Sequence, residues 1–274
     1  MMIHPFRKQD IGPFLRLAEA ENWVAESWEL EFLLAEFSEG CFAARTADGR
    51  TAGFVTSLRH GRSGWIGNLI VSPEHRGQGI GEKLFANARD ALRAAGVETV
   101  WLTASKAGQP LYEKFGFNRI DTIIRWKGTG RQRHAEHGAG APGDNPVPVL
   151  DDIDGRAWGD RRAALLSATA SRGELISRDA GFIVVQPCGD ARQIGPFAAP
   201  DDATADILLK DALHTISLGT RVFLDAPASN RSALRLFNRR RMHISGSNVL
   251  MYSGVKPAYR PEYIYGLATM GSCG

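Results

Sequence analysis

A mixed α/β chain built from two similar halves is the fold class this sequence predicts, and three observations carry it. Strand-like and helix-like periodicities alternate through residues 3–127. A Gly- and Pro-rich stretch without periodicity, residues 128–148, interrupts the chain near its middle. Beyond it, anchors from the first half recur at an offset of 125–128 residues.

The elements follow in order. Ile3–Phe6 is a short strand. Asp10 is placed to cap a helix through Glu19, with Ile11, Phe14, Leu15 and Ala18 at helical spacing. Trp28 to Phe37 is a second helix. Cys41–Thr46 and Ala52–Leu58 are strands joined at Asp48-Gly49, and Trp65–Val71 is a third apolar run. A Gly-rich turn leads into a helix from Gly81 to Ala95, closed by Gly96. Its apolar face is Ile80, Leu84, Phe85, Ala88, Leu92 and Ala95. Thr99–Thr103 is a strand, Leu111–Phe115 a short helix, and Ile120–Trp126 a strand.

The anchors of the repeat are specific. Ile194-Gly195-Pro196 matches Ile66-Gly67-Asn68 at offset 128, and Pro200 matches Pro73 at 127. Val222-Phe223-Leu224 mirrors Val100-Trp101-Leu102. Leu236-Phe237 matches Leu111-Tyr112 at 125, and Tyr252-Ser253-Gly254 matches Trp126-Lys127-Gly128 at 126.

Composition narrows the function classes. The 274 residues are 43% hydrophobic and 23% charged, enough apolar content to exclude a disordered chain. No apolar run approaches the ~18 residues of a membrane span, and Met1–Asp10 is too charged for a signal peptide. Residues 1–128 carry 16 basic against 15 acidic groups and residues 146–274 carry 15 against 13, which argues against a nucleic-acid partner. Arg239-Arg240-Arg241 reads as a solvated helix end. Cys41, Cys188 and Cys273 make no disulfide framework or metal spacing, so a reducing, cytoplasmic setting is expected. His134 and His137 have no third ligand nearby, so no metal is expected.

The sharpest chemistry lies in Val71-Ser72-Pro73-Glu74-His75-Arg76-Gly77-Gln78-Gly79-Ile80-Gly81, between an apolar strand and an amphipathic helix. Glycines allow close backbone approach, and the helix adds its positive dipole end. Together they make an anion site suited to a pyrophosphate. A Walker loop would need a lysine that is absent, and the glycine spacing fails the dinucleotide fingerprint.

The spacing Arg76-x-x-Gly79-x-Gly81 resembles motif A of the GNAT superfamily of acetyl-CoA-dependent N-acetyltransferases. Leu111-Tyr112-Glu113-Lys114-Phe115-Gly116-Phe117 resembles the superfamily's second signature, 30 residues on. The likeness spans residues 3–127. Asn22-Trp23, Gly40-Cys41-Phe42, Trp65–Asn68 and Gly108–Tyr112 resemble a bacterial subgroup with two tandem acetyltransferase-like domains. The resemblance implies a catalytic domain over 1–128, a linker over 129–145 and a degenerate domain over 146–274. Each domain would be a mixed, mostly antiparallel central sheet flanked by helices.

Roles follow from the resemblance. The backbone of Leu69, Ile70 and Val71 would pair with the pantetheine arm. The amides of Arg76, Gly77, Gln78, Gly79, Ile80, Gly81 and Glu82 would hold the pyrophosphate. The Val71 amide would polarise the thioester carbonyl, and Tyr112 would protonate the leaving thiolate as an amine attacks directly. Asn22, Trp23 and Asn68 would border the pocket of a small-molecule or peptide amine. Trp28 and Trp65 are further wall candidates that also read as core. Where many relatives carry an asparagine, seven residues before the tyrosine, this chain has Ser105. Asn68 occupies the neighbourhood of the family's glutamate base, which leaves Glu21, Glu26 and His60 as weak substitutes.

The second half lacks the arginine and all three glycines of the loop. Asp201, Asp202 and Asp206 stand in that region instead, and Phe237 stands at the position of Tyr112. Asn230 alone fits the family's asparagine position. One coenzyme per chain is therefore expected. The rival reading is a non-catalytic acyl-CoA-sensing module. A longer acyl group would be handled by the same chemistry, depending on pocket depth.

Overall fold

The computed structural model of the protein describes residues 2–132 and 147–274. His134 and His137 lie outside the described residues. The first half runs β1 (Met2–Pro5), α1 (Ile11–Ala20), α2 (Ser27–Phe37), β2 (Phe42–Arg45), β3 (Thr51–Arg59), β4 (Ser63–Val71), α3 (Ile80–Ala94), β5 (Thr99–Ala104), α4 (Gln109–Lys114) and β6 (Asn118–Thr129). These match the elements read from sequence to within a few residues, because each carries its own periodicity or turn. Gly49, for example, takes φ +84° at the β2–β3 hairpin. The second half runs α5 (Val147–Trp158), α6 (Ala163–Arg172), β7 (Glu174–Arg178), β8 (Gly181–Cys188), β9 (Ala191–Ala198), α7 (Asp202–Thr215), β10 (Arg221–Pro227), α8 (Arg231–Arg239), β11 (His243–Gly254) and β12 (Ile264–Gly266).

One continuous sheet holds both halves, in the order β1-β2-β3-β4-β5-β11-β6-β10-β9-β8-β7, with β12 added on β9. Among the described strands only β4–β5 and β9–β10 pair in parallel; every other pair is antiparallel. The halves exchange strands at the centre. β11 inserts between β5 and β6, with Val249 opposite Ala104 and Gly254 opposite Thr99. Reciprocally, β6 lies between β11 and β10, with Thr129 opposite Arg221 and Ile123 opposite Pro227. Backbone pairing continues past β6: Gly130 donates to Thr220 and Arg131 to Leu213, at 2.9 and 2.8 Å. The start of the expected linker is therefore bound to the second half.

Helices cover both faces, which explains why central strands such as β3 are buried along nearly their whole length. On one face, α3 packs Leu84, Phe85, Ala88 and Leu92 into a core completed by Met251 from β11. Farther along that face, Leu208, Leu209, Ala212, Leu236 and Phe237 build a second core completed by Trp126 from β6. Each half thus supplies a residue to the other's core. On the opposite face, α1 and α2 share a core with Leu165 of α6 and with Ala268 and Cys273 of the final segment. A tryptophan cluster of Trp65, Trp101 and Trp158 fills the middle. Among the described residues, no helix is long and apolar enough to cross a membrane.

Candidate active site

The site begins where two parallel strands separate. β4 and β5 pair only at Ser63, Gly64 and Trp65, opposite Thr99, Val100 and Trp101. From Ile66 onward they part, while β4 stays bonded to β3 on its other edge as far as Val71. The edge of β4 that contains Leu69, Ile70 and Val71 therefore faces a slot between the strands. The β3–β4 register slips between Phe54 and Thr56, and Asn68 takes φ +54° there. The bulge turns the Asn68 side chain to Thr56 Oγ1 at 3.1 Å and Glu29 Oε1 at 3.3 Å.

The glycine-rich loop closes the wide end of the slot. Gly77 and Gly79 both sit at φ +73° with open space where a Cβ would be, the left-handed conformation that favours glycine. Gly79 caps α3 through its backbone alone, with no side-chain hydrogen bond. The first-turn amides of Ile80, Gly81 and Glu82 thus lack intrahelical acceptors, and the α3 dipole points out between them. Gln78 and Glu82 are exposed, whereas Ile80 turns inward to the core. Arg76 reaches back across the loop, donating from Nε to the Val71 carbonyl at 3.0 Å and pairing with Glu21 at 2.5 Å. A cradle of amides beside an arginine fits a pyrophosphate.

Tyr112 lies on α4, half-buried, with its ring 5.1 Å from Phe85 and 6.3 Å from Phe117. Burial pushes its phenol up to about 12, so it holds its proton at neutral pH. Ser105 accepts from the amides of Gly108 and Gln109 and so shapes the turn into α4.

The α1–α2 face of the slot is polar, and sequence reasoning missed its main residue. Glu29, on α2, is half-buried; desolvation pushes its carboxyl above the usual range, against hydrogen bonding by Ser272 and Asn68. Nothing in the sequence separates Glu29 from any glutamate on a helix surface. Glu26 pairs with Arg172 of α6 and accepts from Trp28 Nε1 and the Gly189 amide, both at 3.0 Å. It ties the two halves together. Arg172 also stacks over Trp28 at 4.5 Å. Asn22 and Trp23 stand exposed at the end of α1. Trp65 is a core residue, stacked on Trp101. His60 is a poor base: burial and Arg162 lower its imidazole to about 3. Among the described residues no cluster of three metal-ligating side chains occurs.

The second half contains the corresponding slot, and its own chain fills it. β9 and β10 pair only at Arg192–Val222 and Gln193–Phe223, then part. β12 occupies the gap, with Ile264 opposite Ala198 and Gly266 opposite Phe197. At the repeat offset of 128, Phe197 and Ala198 correspond to Leu69 and Ile70. Asn230 holds the inserted strand, donating to the carbonyls of Ile264 and Glu262 at 2.9 and 3.4 Å. Asp201 caps α7, accepting from the Thr204 amide at 2.8 Å, and Tyr265 donates to Asp202 at 3.1 Å. Phe237 is buried against Trp126.

A model of the acetyltransferase (GNAT) family matches residues 9–117, and a model of an acetyltransferase (GNAT) domain matches residues 150–266. The chain belongs to the GNAT family of N-acetyltransferases. It carries two such domains in tandem. Holothin acyltransferase of Pseudoalteromonas sp. is 24% identical over 273 residues, covering 92% of each chain. The [ribosomal protein bS18]-alanine N-acetyltransferase of Escherichia coli is 34% identical over 83 residues, 29% of this chain and 55% of that one. Among solved structures, a putative acetyltransferase from Pyrococcus horikoshii superposes with a TM-score of 0.84 at 24% identity, covering 100% of this chain and 95% of that one. A GCN5-related N-acetyltransferase from Sphaerobacter thermophilus gives 0.67 at 18% identity, over 94% and 98%. In both, the shared fold extends across the two halves.

Proposed function

We propose that this GNAT chain transfers an acetyl group from acetyl-CoA to a primary amine in the slot of its first half, and that the second half binds no coenzyme. The observation that carries the reading is the contrast between the two slots. One is lined by a bare strand edge and ends in uncapped helix amides; the other is filled by β12 and capped by Asp201. The division into residues 1–128 and 146–274 is, in this reading, one of function. The first part does the chemistry, and the second braces the sheet and walls the acceptor side.

The arm of acetyl-CoA pairs with Leu69–Val71, and its pyrophosphate takes the amides from Arg76 to Glu82. Arg76 leaves Glu21 for the phosphate. The Val71 amide polarises the thioester carbonyl. The acceptor enters from the face of Glu29 and Asn68, with Asn22 and Trp23 at its rim. Glu29, held by Asn68, takes the proton from the incoming ammonium, directly or through a water. Tyr112 returns a proton to the departing thiolate. Glu29, once ionised, suits a cationic amine.

Calorimetric titration of acetyl-CoA into the full chain tests this. Saturation at one equivalent is expected, with coenzyme A release once a suitable amine from a broad panel is added. A stoichiometry of two, or binding without turnover on any amine, would count against it.

A further inference from the structure

The final segment connects the two slots by a single path. After β12, the chain crosses Gly195, where a Cβ would lie 1.8 Å from the Leu267 carbonyl oxygen. The buried amides of Gln186 and Gln193 donate to the Ala268 carbonyl at 2.9 and 3.2 Å. Arg125, itself paired with Asp225 through Nε and Nη2, donates to the Met270 carbonyl at 3.2 Å. The segment then reaches the first slot. The Gly271 carbonyl accepts from Trp65 Nε1 on β4 and from Thr103 Oγ1 on β5, both at 3.1 Å. Trp65 is the last β4 residue paired to β5, and Thr103 lies two residues past its partner Trp101. Gly271 therefore bridges the strands at the point where they part. The next residue lies on Gly67, where a Cβ would stand 2.0 Å from the Ser272 carbonyl oxygen. Cys273 is then fully buried in the core that also holds Leu58, Ile70 and Leu165.

We propose that Gly271 and Ser272 form the end wall of the acyl channel and restrict the coenzyme to a short acyl group. This rests on the reading that the arm enters at the glycine loop and runs along β4 from Val71 toward Gly67. On that path the acyl group is the part of the coenzyme that meets the apex of the slot. Asn68, at the bulge, is one residue from the Gly67–Ser272 contact, so little depth is left beyond the thioester. Two hydrogen bonds from opposite strands and the buried Cys273 hold the wall rather than leaving it free to swing aside. A chain of further methylenes meets backbone there instead of open space. The wall belongs to the second half, which gives that half a part in selecting the coenzyme it does not bind.

The test is binding, so the acceptor need not be known. Acetyl-CoA and hexanoyl-CoA are titrated into the full chain and into two variants, one lacking residues 271–274 and one carrying Thr103→Val. Misfit of even one methylene in a closed pocket costs roughly tenfold or more. The full chain should prefer acetyl-CoA by at least that factor. Removing the wall should erase the preference. Thr103→Val keeps the side-chain shape and deletes one of the two bonds holding Gly271, so the preference should shrink by about threefold or more. It decides the matter if the deletion does not fold. Hexanoyl-CoA binding as tightly as acetyl-CoA to the full chain, or an unchanged ratio in a folded variant, overturns the wall while leaving acetyl-CoA binding intact. Failure of the full chain to bind acetyl-CoA at all overturns the coenzyme assignment and the wall with it.

Discussion

Tyr112 and Glu29 stand on opposite faces of the slot, and burial acts on both in the same direction. Each is pushed toward its protonated form, the phenol to about 12 and the carboxyl above its usual range. For Tyr112, in the proposed mechanism, that keeps the donor loaded. Tyr112→Phe should lower turnover by roughly 10²–10⁴-fold while acetyl-CoA affinity stays nearly constant; unchanged turnover would reduce the tyrosine to packing against Phe85. For Glu29 the shift sets a pH dependence. A base of this kind is active only when ionised, so if the proposed mechanism holds turnover should climb as pH rises through its raised value, and Glu29→Gln should lose that limb and roughly 10²-fold in rate. The same group leaves a mark on stability. Because its folded value is raised, its contribution is fully present below the unfolded carboxylate range and is lost as pH rises through the folded value. Thermal melts across that window should show a downward slope in the wild type that Glu29→Gln lacks. The neighbours that tune it are Glu26, Arg172, Asn68 and Ser272, so a melt series free of any such difference would mean that Glu29 is solvated like a surface residue.

At the scale of elements, the loop between β4 and α3 does its work through backbone shape. Gly79 takes a left-handed φ with nothing within reach of a Cβ, so a side chain there strains the backbone by about 1–2 kcal/mol without clashing. Gly79→Glu should therefore fold, melt a few degrees lower at most, and fail to bind acetyl-CoA, because a carboxylate would occupy the phosphate cradle. Normal binding in a titration would move the coenzyme elsewhere. This loop, α3, and the strands of the first half were legible in the sequence because each advertises itself locally, by periodicity, capping or glycine. Two elements of the second half lack such signals. α5 has Gly155 within it and opens on Val147-Pro148, next to the Gly- and Pro-rich stretch, and β12 is only three residues long. Its pairing with β9 spans more than sixty residues of chain. The missing glycines and the aspartates point to a second half without coenzyme, but not to a strand filling its slot. From the sequence Asn230 only fits the family's asparagine position; in the structure it also holds β12 in place. Gly271 and Ser272 were invisible for the same reason: what they do depends on Trp65, Thr103 and Gly67, all far away in sequence.

At the scale of the molecule, the exchange of β6 and β11 makes the two halves one folding unit. The first half does not complete its own sheet before the linker: β11 of the second half supplies the strand beside β5. Residues 1–128 alone would leave β5 with no partner on one edge, strip β6 of both neighbours, and remove Met251 from the core beneath α3. Residues 146–274 alone would lose β6 from beside β10 and Trp126 from against Phe237. Open edges and a missing large core side chain are each destabilising, and a domain of this size holds only about 5–15 kcal/mol in reserve. Neither fragment should show a cooperative melt or bind acetyl-CoA by itself. Mixed in equal amounts, they should recover both, because strand pairing, the Arg125–Asp225 pair and the Glu26–Arg172 pair all re-form between fragments without the connecting stretch. The recovered complex should bind one acetyl-CoA per pair of fragments. If residues 1–128 bind the coenzyme with full affinity alone, the exchanged strands are not required by the slot, and the second half's role in supporting it would have to be abandoned.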